Sequence, residues 1–235
     1  DGGTSWVQLL NRGLPENVDP RAFGVSKGTV FVGTNNKARA YTSIDWGETW
    51  TATTDGGSAI WVPTHAASNG NLMLMGGTTF APHYFDFTQN KWISSGLSGS
   101  THALRVQDDG TVIANVGSPV SGRTRISSDG GKTWTQILDE PSNFTARTYD
   151  IIKLGSRLIS TVNVNGSNPF YSDDNGDTWT EATGAKTGAQ LAYGRKFAKL
   201  SDGTLLFYNK TSIDSGATWT TGGKSFGVDF IPWKT

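Results

Sequence analysis

The sequence predicts an all-β fold, a β-propeller of four-stranded antiparallel blades, and three observations carry that reading. The phrase Ser-x-Asp-x-Gly-x-Thr-Trp recurs at Ser43 to Trp50, Ser127 to Trp134, Ser172 to Trp179 and Ser212 to Trp219. With a fragment at Asp1 to Trp6 and a worn copy at Asp86 to Trp92, the marker residues are Trp6, Trp50, Trp92, Trp134, Trp179 and Trp219. They lie 44, 42, 42, 45 and 40 residues apart, the span of a four-stranded sheet with its turns. Finally, no stretch carries helical periodicity, and short Val-, Leu- and Ile-rich runs alternate with turn residues.

The elements follow in order. Asp1 to Leu10 reads as a lone fourth strand ending at the first full repeat. Within each repeat the first two strands meet at a marked hairpin: Ser26-Lys27-Gly28, Asn69-Gly70, Asp108-Asp109-Gly110, Gly155-Ser156 and Asp202-Gly203. Second strands follow as Thr29 to Gly33, Asn71 to Met75, Thr111 to Val116, Arg157 to Val162 and Thr204 to Tyr208. Third strands, such as Ala38 to Ile44 and Arg123 to Ser127, run into the repeated phrase, and fourth strands start at the marker tryptophans. Ser225 to Trp233 reads as a lone first strand. Residues 1–235 therefore form one domain, with six blade positions of which one is incomplete; the alternative is five blades with the chain ends folded against them.

The phrase has a local mechanical basis. Asp accepts from backbone N–H groups ahead of it, and the Gly two residues on takes φ > 0 without a Cβ clash. The Trp then opens a strand and fills the gap between blades, burying on the order of 200 Å². These residues resemble the Asp-box, or BNR repeat, of the sialidase-like propellers, over nearly the whole chain. The turn-locking set is Asp45, Trp50, Asp129, Trp134, Asp173, Trp179, Asp214 and Trp219. The resemblance implies that the boxes lie on the face opposite the usual active site.

Lys plus Arg equals Asp plus Glu at 20 each, which offers no electrostatic case for a nucleic acid or an anionic membrane and suits a neutral glycan. No Cys means no disulfide frame and no thiolate metal site. No apolar run reaches the roughly 18 residues that span a bilayer. The three His, at 65, 83 and 102, lack metal-ligand spacing, and no motif calls for a cofactor. The chain opens inside a repeat, as a mature product or an excised domain would.

Because the boxes fix one face, the fourth-to-first and second-to-third strand loops fall on the other, around the central axis. That assigns Arg21, Trp61, His102, Arg147 and Tyr193 or Arg195 to the fourth-to-first set, and Arg39, Phe80, His83 and Arg123 to the second-to-third set, with Tyr149 as a further ligand-binding candidate. Aromatic rings beside polar groups suit sugars, whose apolar faces stack and whose hydroxyls hydrogen-bond. The family resemblance implies a sialidase reading, with Arg21, Arg147 and Arg195 gripping a carboxylate and Tyr149 or Tyr193 as nucleophile. Of the family's Phe/Tyr-Arg-Ile-Pro signature, however, Pro20-Arg21-Ala22-Phe23 keeps only the Arg, and no Tyr–Glu pair matches. A two-carboxylate glycosidase could use Glu16, Asp19, Glu140 or Asp150, with nothing to select a pair. The expectation is a non-catalytic, glycan-binding module of an extracellular or virion-attached assembly, such as a phage host-recognition part. A polysaccharide hydrolase or lyase and a protein-binding scaffold are the alternatives.

Overall fold

The computed structural model describes residues 4–5, 12–35, 39–53, 63–117, 123–137, 148–162, 168–185 and 196–222, leaving aside the side chains of Arg39, Tyr149 and Val162. Among the described residues twenty strands form five four-stranded antiparallel sheets, each built from consecutive strands. The first holds β1 (Pro20–Ser26), β2 (Thr29–Thr34), β3 (Arg39–Ser43) and β4 (Thr51–Ala52). The second holds β5 (Pro63–Ser68), β6 (Met73–Gly77), β7 (Phe80–Asp86) and β8 (Lys91–Ser94). The third holds β9 (Ser100–Val106), β10 (Val112–Gly117), β11 (Arg123–Ser127) and β12 (Thr135–Gln136). The fourth holds β13 (Thr148–Leu154), β14 (Arg157–Val162), β15 (Phe170–Ser172) and β16 (Thr180–Glu181). The fifth holds β17 (Phe197–Lys199), β18 (Leu205–Phe207), β19 (Lys210–Ser212) and β20 (Thr220–Thr221). The chain is an all-β propeller, and the first strands β1, β5, β9, β13 and β17 stand side by side in that order around the axis. The segments expected to make a sixth position lie outside the described residues, apart from Thr4 and Ser5.

The second strands are apolar without alternation, as in Met73–Gly77, whose sheet is covered on both faces by its neighbours. Four core clusters fill the successive gaps. Phe31 and Ala40 of the first sheet meet Met73, Met75, Phe85 and Trp92 of the second. Leu74 meets Leu104, Val112 and Ala114 in the next gap, and Ile113 meets Ile151 and Leu158 after it. In the last gap Ile152 and Ile159 meet Phe197, Leu205, Phe207 and Trp219. The fourth strands in four of the sheets are only two residues long and exposed, which leaves a short outer edge.

The repeated phrase closes the third-to-fourth strand turn by one hydrogen-bond scheme. In the first copy Ser43 Oγ donates to Asp45 Oδ1 at 2.7 Å and accepts from Gly47 N at 2.7 Å. Thr49 N donates to Asp45 Oδ1 at 2.9 Å, Thr49 Oγ1 donates to Asp45 Oδ2 at 2.5 Å, and Trp50 Nε1 donates to Gly47 O at 3.0 Å. The same bonds recur around Asp129, Asp174 and Asp214. Donors from Thr49 and Ser43 hold the Asp45 carboxyl down at about 2, and those from Thr178 and Ser172 do the same at Asp174.

Two expectations about these turns need correction. In the third copy the box carboxylate is Asp174, not Asp173. The residue after the box Ser points outward in every copy, as Ile44 and Ile213 show at 81% and 90% exposure, so Asp173 instead pairs with Arg157 at 2.6 and 2.7 Å. The marker rings also divide. Trp219 and Trp92 are buried at 3% and 0% exposure, whereas Trp50, Trp134 and Trp179 are half-buried. All four box indoles donate Nε1 to the carbonyl of their box Gly; Trp219 differs in being packed against the Phe197 and Phe207 rings, 5.9 and 5.8 Å away. The worn copy keeps the principle without the Gly: Asp86 Oδ1 accepts from Thr88 N at 2.8 Å and Gln89 N at 3.2 Å, and Asn90 takes φ 51°.

Candidate functional site

The inner strands share a defect at the end away from the boxes. In β1, Pro20 faces Thr34 and Ala22 faces Gly33, so Arg21 has no opposite number. Thr64 of β5, His102 of β9 and Tyr149 of β13 are skipped in the same way. A bulge adds one residue to one strand, bends it and re-aims that side chain. Four sheets therefore present an extra residue, within one position of the same height, at one mouth of the axis.

Arg21 is half exposed and tied to its own loop. Its Nε and Nη2 donate to Asp19 Oδ2 at 3.0 and 2.7 Å, and Asn35 Nδ2 adds a third donor at 3.2 Å. The Arg21 and Asn35 donors hold the Asp19 carboxyl below its ordinary range. His102 is half-buried, with Nε2 3.3 Å from Gly117 O. Thr64 Oγ1 lies 2.9 Å from Nδ1 of the adjacent His65. Burial pushes His65 down to about 4, helped by the charges of Lys196 and His102, so the ring is neutral at physiological pH.

Just below the mouth an ion pair links the inner strands. Asp150 has 1% side-chain exposure and accepts from Arg105 Nε at 3.3 Å and Nη2 at 2.5 Å. Phe197 N donates to the same carboxylate at 2.7 Å, and Arg105 Nη2 reaches Phe197 O at 2.8 Å. Three inner strands, β9, β13 and β17, are thus laced at one point. Lys196 Nζ stands 3.9 Å from Asp150 with a third of its side chain exposed.

The sequence-derived site residues divide accordingly. Arg21 and His102 are at the mouth, and Arg123 opens β11 opposite Val116, exposed at the same end. Arg39 opens β3 opposite Thr34, and Tyr149 is a bulge residue; only their backbones are described. Trp61, Arg147, Tyr193 and Arg195 lie outside the described residues. Phe80 and His83, expected in an open loop, are buried at 8% and 5% exposure. The β6–β7 connection is only Thr78-Thr79, so Phe80 already belongs to β7 and turns its ring into the core beside His83, 5.7 Å away. Sequence reasoning gave no role to His65, Arg105 or Lys196, and left Asp150 among four unselected carboxylates. The available signal was a charge inside an apolar run, as in Ala103-Leu104-Arg105-Val106 and Tyr149-Asp150-Ile151-Ile152. Among the described residues no three His, Asp or Glu side chains gather as a metal site, and no helix is long and apolar enough to cross a membrane.

No protein-family model matches the chain, and no curated protein matches it by sequence. Solved structures do match by shape. YCF48 bound to a D1 peptide aligns at TM-score 0.65 and 14% identity, over 94% of this chain and 73% of that one. The extracellular domain of a hybrid two-component system from B. thetaiotaomicron aligns at TM-score 0.61 and 10% identity, over 83% of this chain and 27% of that one. An ancestral GH74 enzyme aligns at TM-score 0.60 and 15% identity, over 92% of this chain and 32% of that one. The chain thus spans about a third or less of the last two. At these identities the likeness is one of fold, and the propellers that share it include both binding proteins and enzymes.

Proposed function

We propose that this chain is a non-catalytic recognition propeller that takes a glycan at the bulged mouth of its axis, within a larger extracellular or virion-attached assembly. The observation that supports it most is the repeated bulge, which brings Arg21, Thr64, His102 and the Tyr149 position to one rim on four different sheets. Recognition also fits the state of two described carboxylates at the mouth and just below it. Asp19 is held by Arg21 and Asn35, and Asp150 by Arg105 and a backbone amide. Saturated carboxylates position neighbours well and are poor proton carriers. Affinity for one sugar unit is expected at about 0.1–1 mM, so attachment gains from several linked copies.

The test is a heteronuclear NMR titration with oligosaccharides. Shifts should cluster at the N-terminal ends of β1, β5, β9 and β13, and aryl sialosides should not be turned over. Shifts confined to the box turns would overturn the assignment of the face. The likeness to the GH74 enzyme supports a second, hydrolytic reading, for which release of reducing ends from a polysaccharide is the deciding assay.

A further inference from the structure

From the charge balance at the axis we infer that Lys196 receives an oxyanion substituent, a carboxylate or a sulfate ester, so that the ligand of the mouth is an acidic saccharide. This rests on the reading of the mouth as a saccharide site. Over the whole chain the charges cancel, but along the described inner strands and the described residue before each they do not. There Arg21, Arg105, Lys153, Lys196 and Lys199 stand against Asp19 and Asp150.

The pairings decide which cation is left over. Asp19 and Arg21 neutralise one another at 2.7 Å, and Asp150 and Arg105 do the same with two hydrogen bonds. Lys153 and Lys199 lie toward the hairpin end of their strands, near the box face. Lys196 is on the approach to β17, on the mouth side, and among the described residues its one ion-pair partner is Asp150 at 3.9 Å, beyond hydrogen-bond reach. The Asp150 carboxylate is already occupied by Arg105 and by Phe197 N, so it holds Lys196 by charge alone. The ammonium keeps its donors available on a partly exposed stem, a compact point charge suited to an oxyanion.

The neighbours favour an incoming anion. His65, close enough to feel the Lys196 charge, is neutral and adds no competing carboxylate. The walls around the axis are buried strand, and low-dielectric surroundings strengthen the attraction of an anion to a cation left in excess there. An anion that docks on Lys196 also offsets the field that disfavours a proton on His65, so ligand binding and proton uptake are linked.

The test compares three ligands on the full chain by calorimetry at low and high salt: a trigalacturonide, its carboxyl-reduced neutral counterpart, and a sulfated galactotrioside. At least one acidic ligand should bind tenfold or more tightly than the neutral one at low salt, and the stronger of the two names the substituent. That advantage should shrink with salt, vanish in Lys196→Gln and survive in Lys196→Arg. Independently, the NMR titration midpoint of the His65 ring in the unmodified chain should rise with the acidic ligand and stay put with the neutral one. Equal affinity for all three ligands, an advantage that persists in Lys196→Gln, or an unmoved His65 midpoint on acidic-ligand binding overturns the inference while leaving a saccharide mouth standing. Failure of every saccharide to bind removes the glycan reading itself.

Discussion

The box turns and the axis both organise backbone around a carboxylate, at opposite extremes of chain separation. Asp45 binds partners no more than four residues away, and one turn closes whatever the neighbouring sheets do. Asp150 binds Arg105 and Phe197, 45 and 47 residues distant, and its bonds exist only once three sheets have assembled. Losing one box therefore frays one turn, whereas losing Asp150 strands a part-buried guanidinium among three blades.

Four measurements break or sharpen that contrast. The largest effect is expected for Asp150→Asn, a loss of about 3–5 kcal/mol in denaturant melts, because Arg105, only 18% exposed, remains without its counter-charge. Replacing both partners by apolar residues should recover much of it; a single variant within 1 kcal/mol of the parent would show that the lacing is incidental. Next come the marker rings. Trp219→Ala should cost about 3–5 kcal/mol through its cavity, and half-buried Trp134→Ala about 2 kcal/mol. Equal losses would mean that exposure at the rim has no energetic meaning.

Acid titration separates the two regions by pH. His65 is depressed from 6.5 to about 4 in the folded chain, so the unfolded chain binds more protons between those values. Its contribution is complete above pH 6.5 and is lost as pH falls toward 4, on the order of 3 kcal/mol. The box carboxyls of Asp45 and Asp174, held at about 2, contribute fully above about pH 4 and lose that contribution as pH falls through 2. His65→Gln should flatten the upper window of a stability–pH curve and leave the lower one; an unchanged upper window would show that the ring is open to solvent. The smallest effect concerns Trp46, exposed at 67% and held at φ 59° where the other copies place Gly130, Asn175 and Ser215. Trp46→Asn should gain about 0.5–1 kcal/mol, since a bulky residue in the left-handed region is strained. A loss would mean that the ring makes contacts worth more than the strain.

The same separation of ranges explains what the sequence discloses. Box turns, hairpins such as Ser26-Lys27-Gly28 and the apolar second strands are dictated within a few residues, so pattern reading finds them. The Asp173 misassignment is a local slip that strict alignment of the phrase corrects, because Ser172 and Thr178 frame Asp174. Arg105 and Lys196 are different in kind: their roles depend on which strands become neighbours across the axis, which no local pattern states. Phe80 failed for an intermediate reason, since a two-residue connection left no loop for it to occupy.

The aligned bulges have an evolutionary consequence. A residue opposite nothing in the ladder is exempt from the pairing rules that constrain its neighbours. Positions 21, 64, 102 and 149 can thus drift between Arg, Thr, His and Tyr while the sheets keep one register. Selection for a new ligand and selection for folding then act on separate letters of the same strand. A combinatorial library confined to those four positions would explore specificity with little loss of folded clones.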